Sequence, residues 1–174
     1  MLHEKIEAAL NRQINQELAA AHQYLAMALH FDETDLPGFS SWMRAQHREE
    51  LAHADRLMDY VVDRGGHVAL GAIPIPKSAF ASAIEVFEDA LGTERENTTS
   101  INELYTIARQ HDDFATQSHL SWFLDEQVEE ERSVGEILAL VRMAADDAGA
   151  LLLLNGQLAE RQFEPPAKTR KSPR

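Results

Sequence analysis

Four long stretches of this chain place a seam residue alternately four and three positions apart, the period of a helix packed in a bundle. The first seam is Leu10, Ile14, Glu17, Ala21, Tyr24, Ala28, Phe31, and the second is Phe39, Met43, Gln46, Glu50, His53, Leu57, Tyr60. The third is Phe80, Ile84, Phe87, Leu91, Glu94, Thr98, Ile101, Tyr105, Ala108, and the fourth is Thr116, Leu120, Phe123, Gln127, Glu130, Val134, Ile137, Val141, Ala144. These seams predict helices over about 3–31, 38–64, 78–110 and 114–146, and an all-α bundle. Glycine and proline number only 8 and 6 in 174 residues, which suits long helices. Gly92 falls inside the third helix, where it costs about 1 kcal/mol relative to alanine, and reads as a point of close packing.

The connections fix the topology. Residues 32–37 are short enough to make the second helix an antiparallel neighbour of the first. Asp35 or a neighbour is the expected cap, with Pro37 in the first turn. Gly65-Gly66 stops the second helix. That helix is about 40 Å long, and the segment 66–77, fully extended, reaches about as far. It can return along the bundle as a long crossover, or loop out. Ser78 is the expected cap of the third helix, and Asp112 or Asp113 that of the fourth. Gly149 separates a short apolar helix, about 150–163, predicted to pack on the bundle end or on another subunit.

Each long seam is broken near mid-length: by Glu17, by Glu50 with His53, by Glu94, and by Gln127 with Glu130. Glu50 and His53 are three residues apart, hence on one face. Side by side, the helices would bring four carboxylates and one imidazole to one height in an apolar core. Buried charges of one sign are untenable without compensation. Two divalent cations would neutralise four carboxylates, and oxygen donors with one imidazole suit iron or manganese, with zinc a permitted competitor. The plainer reading makes these isolated polar seam residues, solvated or paired with Arg and Lys; four breaks at matching height argue against it. Tyr24 stands on the face of Glu17 and is either a core aromatic or a neighbour of the cations. His22, His30 and His47 read as surface or packing residues. Glu49, Glu126 and Glu129 flank the inward acids and form a second acidic set able to hold a third, looser cation.

Composition excludes several alternatives. With no cysteine there are no disulfides, thiolate sites or thiol nucleophiles. A net charge of −13 argues against nucleic-acid binding and suits the gathering of cations. No apolar run, Ala150–Leu154 included, is long enough to span a membrane, and the N-terminus lacks the apolar core of a signal peptide. A cytoplasmic location is therefore the expectation. The segment 164–174 holds three prolines and a net charge of +3, leaving −16 on the remainder; it is expected to be a disordered basic tail beyond a single domain, 1–163.

Taken as a set, these motifs resemble the bacterial non-haem ferritins over residues 1–163. The resemblance implies a four-helix bundle with a long crossover and a short fifth helix. It implies a ferroxidase centre of Glu17, Glu50, His53, Glu94, Gln127 and Glu130, with Tyr24 beside it. Glu49, Glu126, Glu129 and Glu130 match the third iron site of the bacterial branch. One iron is expected on Glu17, Glu50 and His53, the other on Glu50, Glu94 and Glu130, with Glu50 bridging and Gln127 hydrogen-bonding an oxygen species. The family oxidises Fe(II) with dioxygen or peroxide and stores ferric mineral inside a homo-oligomeric shell of 24 subunits. The start of the fourth helix, with Asp112 and Asp113, would lie near its threefold axes.

Bacterioferritin is a near relative in fold. It has Glu-x-x-His on the fourth helix as well, and a haem-binding methionine after the second-helix Glu. Here the fourth-helix motif is Gln127-Val128-Glu129-Glu130 and position 51 is Leu, so no haem is expected. The rubrerythrins need a cysteine-ligated iron domain that is absent. The rival readings are a soluble di-iron oxidase or bacterioferritin-like protein without a mineral store, and a metal-free helical bundle.

Overall fold

The computed structural model describes residues 2–144 and 146–160. It contains five helices and, among the described residues, no strand: α1 (Glu4–Glu33), α2 (Pro37–Asp63), α3 (Ala83–Gln110), α4 (Phe114–Ala144) and α5 (Ala148–Leu158). α5 ends at Leu158 with Ala159 as its cap, short of the expected end near Phe163, and the basic tail lies outside the described residues.

α1 and α2 form an antiparallel pair, and α3 and α4 another. The crossover returns along the bundle, and α1 holds it by a ladder of side-chain amides. Asn11 donates to the His67 carbonyl at 2.9 Å and accepts from the Ala69 amide at 2.7 Å. Asn15 donates to the Ala69 carbonyl at 2.9 Å and accepts from the Gly71 amide at 2.6 Å. Gln23 does the same for both polar groups of Lys77, at 2.9 Å each. α1 therefore satisfies backbone groups of the crossover that have no strand to pair with. α3 begins at the end of the bundle where α1 finishes, and runs back until His111 stacks on His3.

Several ends differ from expectation. α3 starts at Ala83, with Ser82 rather than Ser78 as its cap: the Ser82 hydroxyl accepts from the Glu85 amide at 3.2 Å while Glu85 accepts from the Ala81 amide at 2.5 Å. Ser82-Ala83-Ile84-Glu85 carries the capping-box signature, with the Glu85 carboxylate reaching the Ala81 amide, one residue before the cap, in place of that of Ser82. α2 has no local side-chain cap; Asp35 instead takes a left-handed φ of 58° at the turn. The cap comes from α5. Asn155 Oδ1 accepts from the amides of Gly38 and Phe39 at 2.8 and 3.2 Å. A methyl group on Gly38 would overlap the Asn155 carbonyl, so only glycine lets α5 approach this closely. Asp113 caps α4, accepting from the Thr116 amide at 2.9 Å, and pairs with Arg64 at the end of α2. A side chain on Gly92 would meet open space within the chain, so the expected close packing there is not found.

The core has two apolar parts with a polar layer between them. One part lies toward α5 and is aromatic, built on Phe31, Phe39, Trp42 and Phe87 with Met27, Met43, Val134 and Leu154. The other is mostly aliphatic, with Ile6, Leu10, Ile14, Leu57, Val61, Ile101 and Leu120 around Phe123. The seams of α1 and α4 are buried throughout, and that of α2 except for half-buried Tyr60. α3 is rotated from expectation. Phe87, Glu94, Ile101 and Ala108 face inward, but they are joined by Ala90, Asn97 and Leu104, while Leu91, Thr98 and Tyr105 are half-buried.

Candidate metal centre

Glu17, Glu50, His53, Glu94, Gln127 and Glu130 meet in the layer between the two apolar parts, each no more than 4% exposed. Their seam positions put them there: on every helix the apolar residues to one side belong to the aromatic part, and those to the other side to the aliphatic part. No lysine or arginine is buried among the described residues.

Glu17, Glu50 and His53 present ligand atoms that all lie within 4.8 Å of one another. His53 Nδ1 is 3.6 Å from Glu50 Oε2 and 3.9 Å from Glu17 Oε2. A second such group joins His53 to Glu126 and Glu130. Glu126 thus reaches the layer from its half-buried position, whereas half-buried Glu49 and exposed Glu129 fall outside both groups. Glu94 approaches from α3. Tyr24 donates its hydroxyl to Glu94 Oε1, and Gln127 Nε2 reaches the Glu94 carbonyl at 3.2 Å and its carboxylate at 3.4 Å.

The carboxylates differ in their partners. Gln13 donates to Glu17 at 2.8 Å, Gln46 donates to Glu130 at 2.8 Å, and Tyr24 and Gln127 serve Glu94. Neither Glu50 oxygen receives an amide or hydroxyl donor, and His53 Nδ1 has no hydrogen-bond partner; the polar neighbours of Glu50 are His53 Nδ1 at 3.6 Å and the Glu17 carboxyl, with which it can share a proton. A fully buried, donor-free carboxylate with both oxygens open is costly by itself, and is the arrangement expected of a ligand that spans two cations.

Electrostatics point the same way. Burial, with the charges of Glu94 and Glu17, pushes the Glu50 carboxyl well above the usual range. Burial and the charge of Glu130 push Glu94 up to about 8, against the opposing hydrogen bonds of Tyr24 and Gln127. Burial, with Glu94, Glu50 and Glu130 around it, raises Tyr24. Burial also raises Glu126, with the His53 charge opposing. Without a cation the layer therefore retains protons. A divalent cation placed among these groups would displace the protons, because it would supply the positive charge that the surrounding residues withhold.

The sequence reading missed the amides. Gln13 lies four residues before Glu17 on the same face, so helical spacing alone could have found it; Gln46 stands in the second seam, but its bond to Glu130 on another helix has no local signature. Asn97 is 1% exposed and belongs to the layer, yet it reads in sequence as a solvent-facing residue. Neither Asp112 nor Asp113 reaches the layer: Asp113 is occupied by Arg64 and its own cap, and Asp112 adopts a left-handed φ of 52°.

Fold and site together define a class: a four-helix bundle with a carboxylate-rich cluster at mid-height and a crossover bound to its first helix. The model of the ferritin-like domain matches residues 7–144. A bacterial non-heme ferritin of Staphylococcus epidermidis is 42% identical over 163 residues, which is 94% of this chain and 98% of that one. A bacterial non-heme ferritin of Staphylococcus aureus is 41% identical, with 94% and 99% covered. Among solved structures, an open pore ferritin of the archaeon Archaeoglobus fulgidus superposes with a TM-score of 0.92 at 45% identity, covering 93% of this chain and all (100%) of that one. An engineered closed form of the same ferritin gives a TM-score of 0.92 at 46% identity, covering 94% and 100%. The chain belongs to the ferritin family. No described helix is long and apolar enough to cross a membrane.

Proposed function

We propose that this protein stores iron, oxidising Fe(II) with dioxygen or peroxide at a dinuclear centre in the layer and depositing ferric mineral inside a hollow homo-oligomeric shell. The observation that carries the dinuclear reading is Glu50, buried, donor-free at both oxygens and set between His53 and the acids of α1, α3 and α4. Glu17, Glu50 and His53 hold one Fe(II); Glu50, Glu94 and Glu130 hold the other. Glu126, with His53 and Glu130, offers an exit position beside the pair, and Glu49 and Glu129 extend it outward. These are iron sites and not haem sites, since Leu51 stands where a haem-binding methionine would be.

The donor set favours oxidation. Anionic oxygen ligands stabilise Fe(III) over Fe(II), so each iron loses an electron to the oxidant more readily here than in water. Two irons side by side deliver two electrons to one oxidant molecule. Gln127 and Tyr24 hold Glu94 between them, and Gln127 orients the oxidant's oxygen. Protons displaced from Glu50 and Glu94 leave as iron enters.

The shell draws support from what one chain leaves bare. Ile75 on the crossover is 97% exposed, Met143 at the end of α4 is 83% exposed, and Leu152 and Leu153 on α5 are 61% and 67% exposed. Contact with neighbouring subunits would take these side chains out of water. A shell of 24 subunits of 19.5 kDa elutes far from a monomer or dimer, so size-exclusion chromatography tests it directly. Anaerobic Fe(II) titration should show at least two equivalents bound per chain, and admission of air should produce ferric absorbance. A protein binding one equivalent or none would overturn the dinuclear reading.

A further inference from the structure

Three of the four layer carboxylates are held by amides or hydroxyls, and the hold on Glu17 is the most elaborate. Gln13 Nε2 donates to Oε1 at 2.8 Å. Asn97 Nδ2 approaches Oε2, the oxygen facing His53, at 3.5 Å. The Asn97 amide is itself pinned: Gln16 Nε2 donates to Asn97 Oδ1 at 2.9 Å. The Glu17 carboxylate decides which way the Asn97 amide faces, because the flipped amide would press a carbonyl against it, and Gln16 holds the carbonyl left on the other side. Gln16 and Asn97 both line a crevice of about 200 Å³ between α1, α3 and the crossover, roofed by Pro74, Ile75 and Pro76. A chain of amides therefore runs from this crevice to Glu17.

We propose that Asn97, pinned by Gln16, is a positioning residue for Glu17 and sets the affinity of the Glu17/Glu50/His53 position for a divalent cation. This rests on the dinuclear reading above. Each donor takes one lone pair of the carboxylate and leaves others free for a cation. Both donors are neutral, so neither sets a positive charge against Glu17, as a lysine or arginine in the same place would. At 3.5 Å the Asn97 contact is long; its role is to fix the rotation of the carboxylate plane, so that Oε2 stays aimed at the space shared with His53. Outer-shell partners of this kind typically change metal affinity about 10- to 100-fold. Glu94 and Glu130 have their own donors on other helices, so the effect belongs to one position of the two.

The test is anaerobic Co(II) titration of the assembled protein, following the visible absorbance that reports cobalt geometry, with thermal melting in EDTA alongside. Wild type should bind two equivalents. Asn97→Leu, with the same branching of heavy atoms but no donor, should weaken one equivalent about tenfold or more and alter its absorbance, leaving the other in place. Gln16→Leu, at a half-buried position where folding is not at risk, should weaken the same equivalent by a smaller factor. Two unchanged equivalents in both variants would overturn the positioning role and leave the dinuclear reading standing. Equal weakening of both equivalents would also overturn it, because that is the mark of general disruption. A wild type that binds no Co(II) would bring down both readings.

Discussion

The aromatic part of the core and the acidic layer beneath it are about equally buried, and they are built for opposite ends. In the aromatic part every partner is present: Phe31 meets Phe39 at 5.0 Å between ring centroids, and Phe87 meets Phe39 at 5.8 Å and Trp42 at 5.5 Å. These rings stabilise the chain simply by being out of water. In the layer, Glu50 has no donor, and Glu94 holds a proton well above its ordinary range. There the folded chain keeps groups that its own stability would be better without. The difference shows that one bundle can separate the residues that hold it together from those reserved for a ligand, by giving each a different height along the same helices.

Exchanging the two behaviours is the sharpest way to break this contrast. Glu94→Ala should slow aerobic Fe(II) oxidation by two orders of magnitude or so, a loss of about 3 kcal/mol of transition-state stabilisation, while the melting temperature in EDTA stays level or rises. A fall in stability with oxidation intact would make the layer structural. Phe39→Ala should do the reverse. It should cost about 3–5 kcal/mol in denaturant unfolding, as large aromatic truncations do, while the number of Fe(II) bound per folded chain is unchanged.

A pH series sharpens the same comparison. Glu94 has a value of about 8 in the folded chain against 4.5 for an ordinary glutamate, and Glu50 moves in the same direction. The metal-free folded state therefore holds protons that the unfolded chain has already released. Stability from these groups is fully present below about 4.5 and is lost as pH climbs toward 8. Melting temperature in EDTA should fall across that range, and saturating Co(II) should abolish or reverse the fall. A flat profile in EDTA would show that the acids are not desolvated. The smallest effect concerns the end of α2. Asn155→Ala removes its only side-chain cap and should cost about 1 kcal/mol, measured by thermal unfolding, with iron binding unaffected.

Much of this was legible in the sequence. The seams of α1, α2 and α4 could be read directly because polar interruptions were few and the flanking apolar residues unambiguous. Glu17, Glu50, His53, Glu94, Gln127 and Glu130 were found as breaks in that pattern, and the fold brings them together. α3 was harder. Apolar residues flank the Phe87–Glu94–Ile101 line on both sides, and a seven-residue repeat does not say which flank turns inward. The choice of Leu91 and Thr98 over Ala90 and Asn97 concealed the amide behind Glu17. Ser82 was legible in principle, since Glu85 follows it at capping-box spacing, but Ser78 offered the same hydroxyl earlier in the chain. The cap of α2 was not legible at all. Its donors and acceptor are 117 and 116 residues apart, and no local pattern reports such a pairing.

That distant pairing bears on how the molecule is put together. Two amides in the opening turn of α2 lie bare until the last helix arrives, and the glycine at that turn is shaped to admit nothing bulkier than the incoming backbone. The second helix is thus completed only after the chain has been almost wholly synthesised. A chain truncated before α5 should show its first fraying at residues 37–39, far from the cut in sequence.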